Sequence, residues 1–206
     1  MRSRRRFQRR REKTTVLIVG EGQQTEPNYF YGLKREDIVR DRFAVTVKRG
    51  RGHSPEAVVR AAIDLMKGAA QRRENYDQVW CVIDVEGQEK RQSLVEAITL
   101  AENNGIRLCL SNPSFEVWLL AHFERRAPYL LNADAAVREL NKVWRKQLNR
   151  DYEKNDEHIY RRISDLTANA ITNAQLVRET DHSDKTMIEA NSSTEVYKLV
   201  RYLLSP

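Results

Sequence analysis

The clearest fold signal in the chain is residues 14–30, TTVLIVGEGQQTEPNYF. Its first part is a short apolar run rich in β-branched residues, which is typical of a strand buried on both faces of a parallel sheet. The run stops at the tight sequence Gly20-Glu21-Gly22, after which Thr25 can cap a helix and Pro27 lies in its first turn. This stretch therefore predicts a strand, a tight loop and a helix.

The same alternation continues along the chain. Three more apolar runs predict strands, with helices between them, at 43–47, 79–83 and 106–110. Beyond these strands the pattern is helical, and helices are expected over 115–123, 133–148, 159–178 and 194–204. This order indicates an α/β fold, a parallel sheet of about four strands flanked by helices, with a helical C-terminal part. We expect a single domain over 14–206.

Basic charge is concentrated at the start of the chain. The 206 residues include 36 basic and 29 acidic side chains, a net charge of +7, and residues 1–13 alone hold seven Arg, one Lys and one Glu. We expect 1–13 to be a disordered basic arm, which either neutralises nucleic-acid phosphates or serves as a solubilising leader. The rest of the chain is charge-balanced.

Composition also restricts the compartment. The mean hydropathy is −0.69, no apolar run reaches the length of a membrane span, and no apolar segment follows the N-terminal arginines. We therefore expect a cytoplasmic protein that does not contact a membrane. Cys81 and Cys109 lie inside strand-like runs, and we expect both to be buried free thiols.

Acidic and polar residues follow three of the predicted strands. Glu21 follows the first, Asp84 and Glu86 follow the third, and Ser111-Asn112 follows the fourth. The carboxyl ends of parallel strands meet at one edge of the sheet, where ligands bind. Several carboxylates there repel one another unless a cation neutralises them, and hard oxygen ligands suit Mg²⁺ or Mn²⁺. We favour a metal site over solvated loop charges.

A dinucleotide site is the weaker alternative for the first loop. Residues 20–25 follow a strand and partly match G-x-G-x-x-G, but Thr25 replaces the third glycine. Glu21 and Glu26 would also repel a pyrophosphate from the helix N-terminus.

Five blocks of the chain resemble the RloB-like family, and they run in order over nearly its whole length after the arm. They are VLIVGEGQQTEPNYF (16–30), IDVE (83–86), SNPSFEVWLLAHF (111–123), YEK (152–154) and NSSTEV (191–196). The layout of strand-Glu-Gly and then strand-Asp-x-Asp/Glu is similar to that of Toprim domains. The family has Asp-x-Asp where this chain has Asp84-Val85-Glu86, so that one ligand would have a longer arm.

The resemblance implies a Toprim-like fold and a metal-dependent endonuclease of the Toprim type. It also implies a role in bacterial defence against phage, as an abortive-infection or restriction-linked protein with an ABC/AAA-type ATPase encoded nearby. Carried onto this sequence, Glu21 would be a general acid/base or a metal ligand, and Asp84 and Glu86 would be Mg²⁺ ligands. Glu26 either binds a second metal or only favours the helix N-terminus.

Other polar residues are candidates for the same site. Glu116 either adds an acid to the site or hydrogen-bonds to the turn at 111–114. The candidate substrate contacts are Arg49, Arg51, Ser111, Asn112 and Lys154. Each of them also has an ordinary structural explanation, as a surface charge or a turn residue.

Two functions follow as hypotheses. The leading one is Mg²⁺-dependent hydrolysis of phosphodiester bonds in DNA or RNA, with an ATPase partner. The alternative is a non-catalytic nucleic-acid-binding or sensor subunit of such a system, which the charge-balanced body favours because a nuclease usually has a basic groove.

Overall fold

A mostly parallel sheet lies at the centre of the protein. The computed structural model describes residues 12–50, 52, 54–86, 91–125 and 128–205. Within these residues the sheet has the strand order β2-β1-β3-β4-β5, in which the first four strands are parallel and β5 is antiparallel. The strands are β1 (Thr14–Gly20), β2 (Phe43–Arg49), β3 (Gln78–Asp84), β4 (Arg107–Asn112) and β5 (Ser193–Thr194). The predicted α/β class is confirmed.

Helices surround the sheet and make up the C-terminal part. A 3₁₀ turn at Ser164–Leu166 and a π-helical turn at Val177–Asp181 interrupt or extend them. In the described residues the helices are α1 (Thr25–Leu33), α2 (Asp37–Arg42), α3 (Pro55–Gln71), α4 (Arg91–Asn103), α5 (Glu116–Ala121), α6 (Ala133–Leu148), α7 (Ile159–Ile163), α8 (Thr167–Leu176) and α9 (Val196–Leu204).

The strands are buried on both faces, as the apolar runs predict. In β1, Val16 and Ile18 belong to one core, whereas Leu17 and Val19 belong to the other. Successive strand residues point to opposite faces, so each face needs its own helical layer. Helices α3 and α4 cover the second core, and α1 and α5 to α9 cover the first. The protein is therefore a three-layer structure with the sheet in the middle.

Parts of the C-terminal region differ from the sequence prediction. The single helix expected over 159–178 is broken at Ser164, whose Oγ donates to Arg161 O at 3.3 Å; serine competes in this way with the helical backbone. The last helix starts at Val196 rather than at Thr194. Thr194 instead pairs with Ser111 in the sheet, and their hydroxyls are 2.7 Å apart.

Other expectations are confirmed or fall outside the described residues. Cys81 and Cys109 are both buried and free. No helix in the described part of the chain has the length and apolar character needed to cross a membrane. Residues 1–11 of the basic arm and Arg51 lie outside the described residues, so the predictions made for them stay predictions.

Candidate active site

The strand order creates a crevice between β1 and β3. From β1 the chain moves to β2 on one side and then returns to β3 on the other, so the direction of progression reverses between these neighbours. In open α/β sheets such a reversal opens a crevice at the carboxyl ends of the strands, where ligands bind. Glu21 directly follows β1 and Asp84 ends β3, so the structure places the two predicted acids at this position.

Glu21 and Glu26 come from the loop and helix that follow β1. Glu21 is 8% exposed, and its Oε2 accepts a hydrogen bond from the Asp84 backbone N–H at 3.2 Å. The side chain thereby links the ends of β1 and β3. Glu26 lies in the first turn of α1, is 4% exposed, and accepts at Oε1 from the Gly22 N–H at 2.8 Å. Glu26 therefore folds back over its own loop.

Gly22 is required for this arrangement. A Cβ atom at Gly22 would lie 1.8 Å from Glu26 Oε2, so any larger residue would displace the carboxylate. Because the Gly22 amide already donates to Glu26, it is not available to a pyrophosphate. The geometry thus agrees with treating dinucleotide binding as the weaker alternative for this loop.

Asp84 has an unsatisfied oxygen. Its side chain is half-buried at the end of β3, and Oδ1 is buried with no hydrogen-bond partner. Burial raises the pKa of this carboxyl well above its usual value, and the charges of Glu26, Glu116, Glu21 and Glu86 raise it further. A buried polar atom without a partner is costly. Asp84 Oδ1 is therefore placed to receive a cation or a hydrogen-bond donor.

Glu116, at the start of α5, is held by a buried network. Its Oε2 accepts from Ser114 Oγ at 2.6 Å and its Oε1 accepts from Tyr152 Oη at 3.1 Å. Tyr152 Oη also lies 3.3 Å from Thr25 Oγ1, which donates to Lys154 O at 3.1 Å. Glu116 thus makes the predicted hydrogen bond to the turn before α5 and also lines the pocket described next, whereas its role as a functional acid stays a prediction.

The acidic side chains surround one pocket, here called the acidic pocket. It has a volume of about 230 Å³ and is lined by Glu26, Asp84, Glu86 and Glu116. Lys154 lines it too, with Nζ 3.7 Å from Glu116 Oε1 and a side chain 54% exposed. Buried Glu21 lies beside it through its bond to Asp84. Five carboxyl groups and one nearby ammonium therefore meet at the crevice.

The crowding of carboxyl groups changes their acidity. Burial raises the pKa of Glu26 to about 7, and the negative charges of Glu116 and Glu21 contribute to the rise. The hydrogen bond from Gly22 opposes it, because a donor favours the charged carboxylate. Like charges in a buried site must lose charge or gain a counterion. The pocket therefore favours either bound protons or a bound cation.

Comparison with known proteins gives the family. The family model described as RloB-like protein matches residues 16–203. The chain belongs to the RloB-like family. No curated protein and no solved structure is significantly similar to it. The match covers all the described strands from Val16 onward and every acid of the pocket, so the resemblance noted from the five sequence blocks is confirmed.

The donor set of this RloB-like protein suits a hard divalent cation. All the candidate ligands are carboxylate oxygens, and Asp84 Oδ1 has no partner. Among the described residues, no group of three or more His, Cys, Asp or Glu side chains could hold a metal ion. Mg²⁺ in phosphoryl-transfer sites takes one or two protein carboxylates together with waters and substrate phosphates. One or two of these carboxylates could therefore share Mg²⁺ with waters and a substrate phosphate, and the metal itself stays a prediction.

Of the predicted substrate contacts that the structure describes, only Lys154 lines the acidic pocket. Lys154 lines the acidic pocket, whereas Ser111 is fully buried and its hydroxyl is bonded to Thr194. Asn112 is 7% exposed, and its Nδ2 donates to two backbone carbonyls of the segment before β5. Arg49 is exposed at the end of β2, in register with Gly20. Their roles in substrate binding stay predictions.

Sequence reasoning missed the residues that position Glu116. Tyr152 belongs to a block shared with the family, but nothing in the local sequence assigns it to Glu116, which is 36 residues away along the chain. Thr25 was interpreted as a helix cap, yet its hydroxyl bonds to Lys154 O, 129 residues away. These contacts depend on how α1 and the segment after α6 pack together.

Proposed function

We propose that this RloB-like protein is a metal-dependent phosphodiesterase that cleaves DNA or RNA. The observation that carries the proposal is the unpartnered, buried Asp84 Oδ1, which lies among four other carboxyl groups at the crevice between β1 and β3. A divalent cation would neutralise this charge and would bring a phosphate, itself an anion, into a pocket that otherwise repels it.

Specific roles follow from position. Asp84 and Glu86 would hold Mg²⁺ or Mn²⁺, which when bound activates water and stabilises charge on the scissile phosphate. Glu21 sits beside Asp84 and would hold or move a proton at its carboxylate. Lys154 Nζ lies 3.7 Å from Glu116 Oε1, and its ammonium group would contact a non-bridging phosphate oxygen. Glu26 would bind a second metal ion or only favour the N-terminus of α1 electrostatically.

The biological setting is proposed from the family alone. A role in bacterial defence against phage and an ABC/AAA-type ATPase partner come from the resemblance to RloB-like proteins. An ATPase gene next to this one would support a two-component system.

The first experiment measures metal binding and cleavage with the full chain. Isothermal titration with Mg²⁺ and Mn²⁺ should show binding that Asp84→Asn weakens at least about tenfold. A panel of tRNA, single-stranded DNA and duplex DNA, incubated with Mg²⁺ or Mn²⁺, should show cleavage that Asp84→Asn and Glu21→Gln abolish. EDTA should stop the reaction.

A matched control removes an acid elsewhere. Glu102→Gln, on the exposed side of α4, takes away one negative charge and should leave both metal binding and cleavage at the wild-type level. Cleavage that survives Asp84→Asn would show a contaminating nuclease or another site, and would contradict the proposal.

A second candidate function is a non-catalytic nucleic-acid-binding or sensor subunit. Two observations favour it: residues 14–206 are charge-balanced, and among the described residues no group of three or more His, Cys, Asp or Glu side chains could hold a metal ion. This function predicts nucleic-acid binding without metal binding or cleavage. The titration and the cleavage panel therefore distinguish the two candidates.

A further inference from the structure

A second concave surface lies next to the acidic pocket, and we call it the Tyr129 cleft. It consists of two cavities of about 420 and 340 Å³ that share Tyr129, Glu189 and Asn191 in their walls. Val85 lines the larger cavity, whereas its chain neighbours Asp84 and Glu86 line the acidic pocket. Consecutive residues of one segment therefore contribute to the walls of both sites.

The Tyr129 cleft presents exposed apolar side chains on a fixed backbone. Tyr129 is 76% exposed and Leu131 is 75% exposed, whereas Leu130 between them is 3% exposed. The backbone N–H of Leu130 donates to Asn191 Oδ1 at 2.8 Å, and Asn191 Nδ2 donates to Leu130 O at 2.7 Å. This pair of bonds holds the segment, so that Tyr129 stands in solvent on a positioned backbone.

Cationic side chains border the same cleft. Arg91 lines the larger cavity and Lys185 lines the smaller one, and both are exposed. The wall also contains Asp181 and Glu189, and the Glu189 carboxylate accepts hydrogen bonds from Thr186 N–H and Oγ1 at 3.1 and 2.8 Å. Proteins that bind single-stranded nucleic acids combine an aromatic ring, on which a base stacks, with Arg or Lys side chains that contact the phosphates.

We propose that Tyr129 is a stacking platform for an unpaired base of single-stranded nucleic acid. The strand would reach the acidic pocket from the Tyr129 cleft, since Val85 of the cleft lies between two acids of that pocket in the chain. The inference rests on the proposed function for what happens in that pocket, and it names the substrate class as a strand with unstacked bases rather than an intact duplex. A paired base is not free to lie on the ring, because its faces are already stacked.

The test is a binding measurement that needs no cleavage. Fluorescence anisotropy in EDTA is measured with labelled DNA and RNA strands of about 12 nucleotides, with a DNA duplex, and with an abasic strand of the same length. We expect Tyr129→Ala to weaken binding of both single strands about 5- to 100-fold, and Tyr129→Phe to retain wild-type affinity within about twofold. Neither variant should change binding of the abasic strand.

Val95→Ala is the matched control. Val95 is 53% exposed on α4, and its replacement removes an exposed apolar side chain outside the walls of the cleft. Because Tyr129 is 76% exposed, its loss should leave the unfolding transition unchanged, and a thermal melt checks this.

The outcomes separate this inference from the proposed function. If the wild type cleaves strands in Mg²⁺ but Tyr129→Ala binds and cleaves equally well, only the stacking inference fails. If nothing is cleaved but base-dependent binding still requires Tyr129, the stacking inference stands and hydrolysis fails. The stacking inference is overturned if the wild type binds no strand, or if Tyr129→Ala weakens binding of the abasic strand as much as binding of the strand with bases. A protein then becomes the better occupant of the cleft.

Discussion

Replacing Glu26 with glutamine removes one charge from the acidic pocket with almost no change in shape. The glutamine side chain can still accept from the Gly22 N–H through its amide oxygen, as Glu26 does at 2.8 Å. In the folded protein the pKa of Glu26 is raised to about 7, mainly by burial and then by the charges of Glu116 and Glu21. In the unfolded chain the pKa returns to 4.5.

The sign of the pH effect follows from these two values. The folded state keeps the Glu26 proton up to about pH 7, whereas the unfolded chain loses it near pH 4.5, so raising the pH through this window destabilises the fold. At about 1.4 kcal/mol per pKa unit, the full effect is about 3 kcal/mol. Between pH 5.5 and pH 8.5 the free energy of unfolding of the wild type should therefore fall by about 2 kcal/mol more than that of Glu26→Gln.

The assay is urea unfolding at pH 5.5 and pH 8.5 in EDTA, followed by the fluorescence of the buried tryptophans. The rest of the acidic pocket is the same in both proteins, so the difference between the two proteins reports the charge of Glu26 and its repulsion of the neighbouring carboxylates. Glu102→Gln removes an exposed acid and should follow the wild type at both pH values. Mg²⁺ at pH 8.5 should stabilise the wild type, because a bound cation offsets the same repulsion.

A pH-independent difference between Glu26→Gln and the wild type would refute this reasoning. It would mean that Glu26 is already ionised at pH 5.5, and that the carboxyl groups are better solvated than their burial indicates. A lower stability of Glu26→Gln at pH 8.5 would mean that the charge of Glu26 is needed by the fold.

Three further predictions concern other parts of the structure. Gly22→Ala should reduce metal binding and cleavage at least tenfold but cost less than about 1 kcal/mol of stability, because the atoms nearest to the added Cβ belong to the far end of the Glu26 side chain and not to the backbone. Gly32→Ala should destabilise the fold but leave metal binding and cleavage unchanged. Its Cβ would lie 2.5 Å from Tyr160 Cβ, and overpacking of this kind costs about 1–3 kcal/mol. Burial lowers the pKa of His122 from 6.5 to about 4, so stability should fall as the pH drops through this window. In urea unfolding, lowering the pH from 7 to 4.5 should reduce the free energy of unfolding of His122→Asn by about 2 kcal/mol less than that of the wild type.

Several features of the candidate site were predictable because they depend on strand ends. Glu21 and Asp84 are 63 residues apart, yet each follows a β-branched apolar run, and parallel pairing of those runs brings their ends together. The sequence identifies such runs through local composition alone. Helix α6 was predicted with its observed bounds, and the structure shows that Asn132 caps its start, a signal that lies within the local sequence.

Other features had no local signal. Strand β5 is two residues long and antiparallel, and it exists because Ser193 and Thr194 reach the edge of β4. Helix α2 was not predicted, since its six residues include a single buried side chain, Val39. Elements this short gain their stability from packing rather than from their own sequence.

The amino-acid sequence by itself determined the α/β class, the four parallel strands, the family and the acids that follow β1 and β3, since periodicity, β-branching and capping act within a few residues. Tertiary structure alone decided the raised pKa of Glu26, the unpartnered oxygen of Asp84 and the exposure of Tyr129. These properties depend on burial and on the distances between charges, which arise only when segments far apart in the chain pack together.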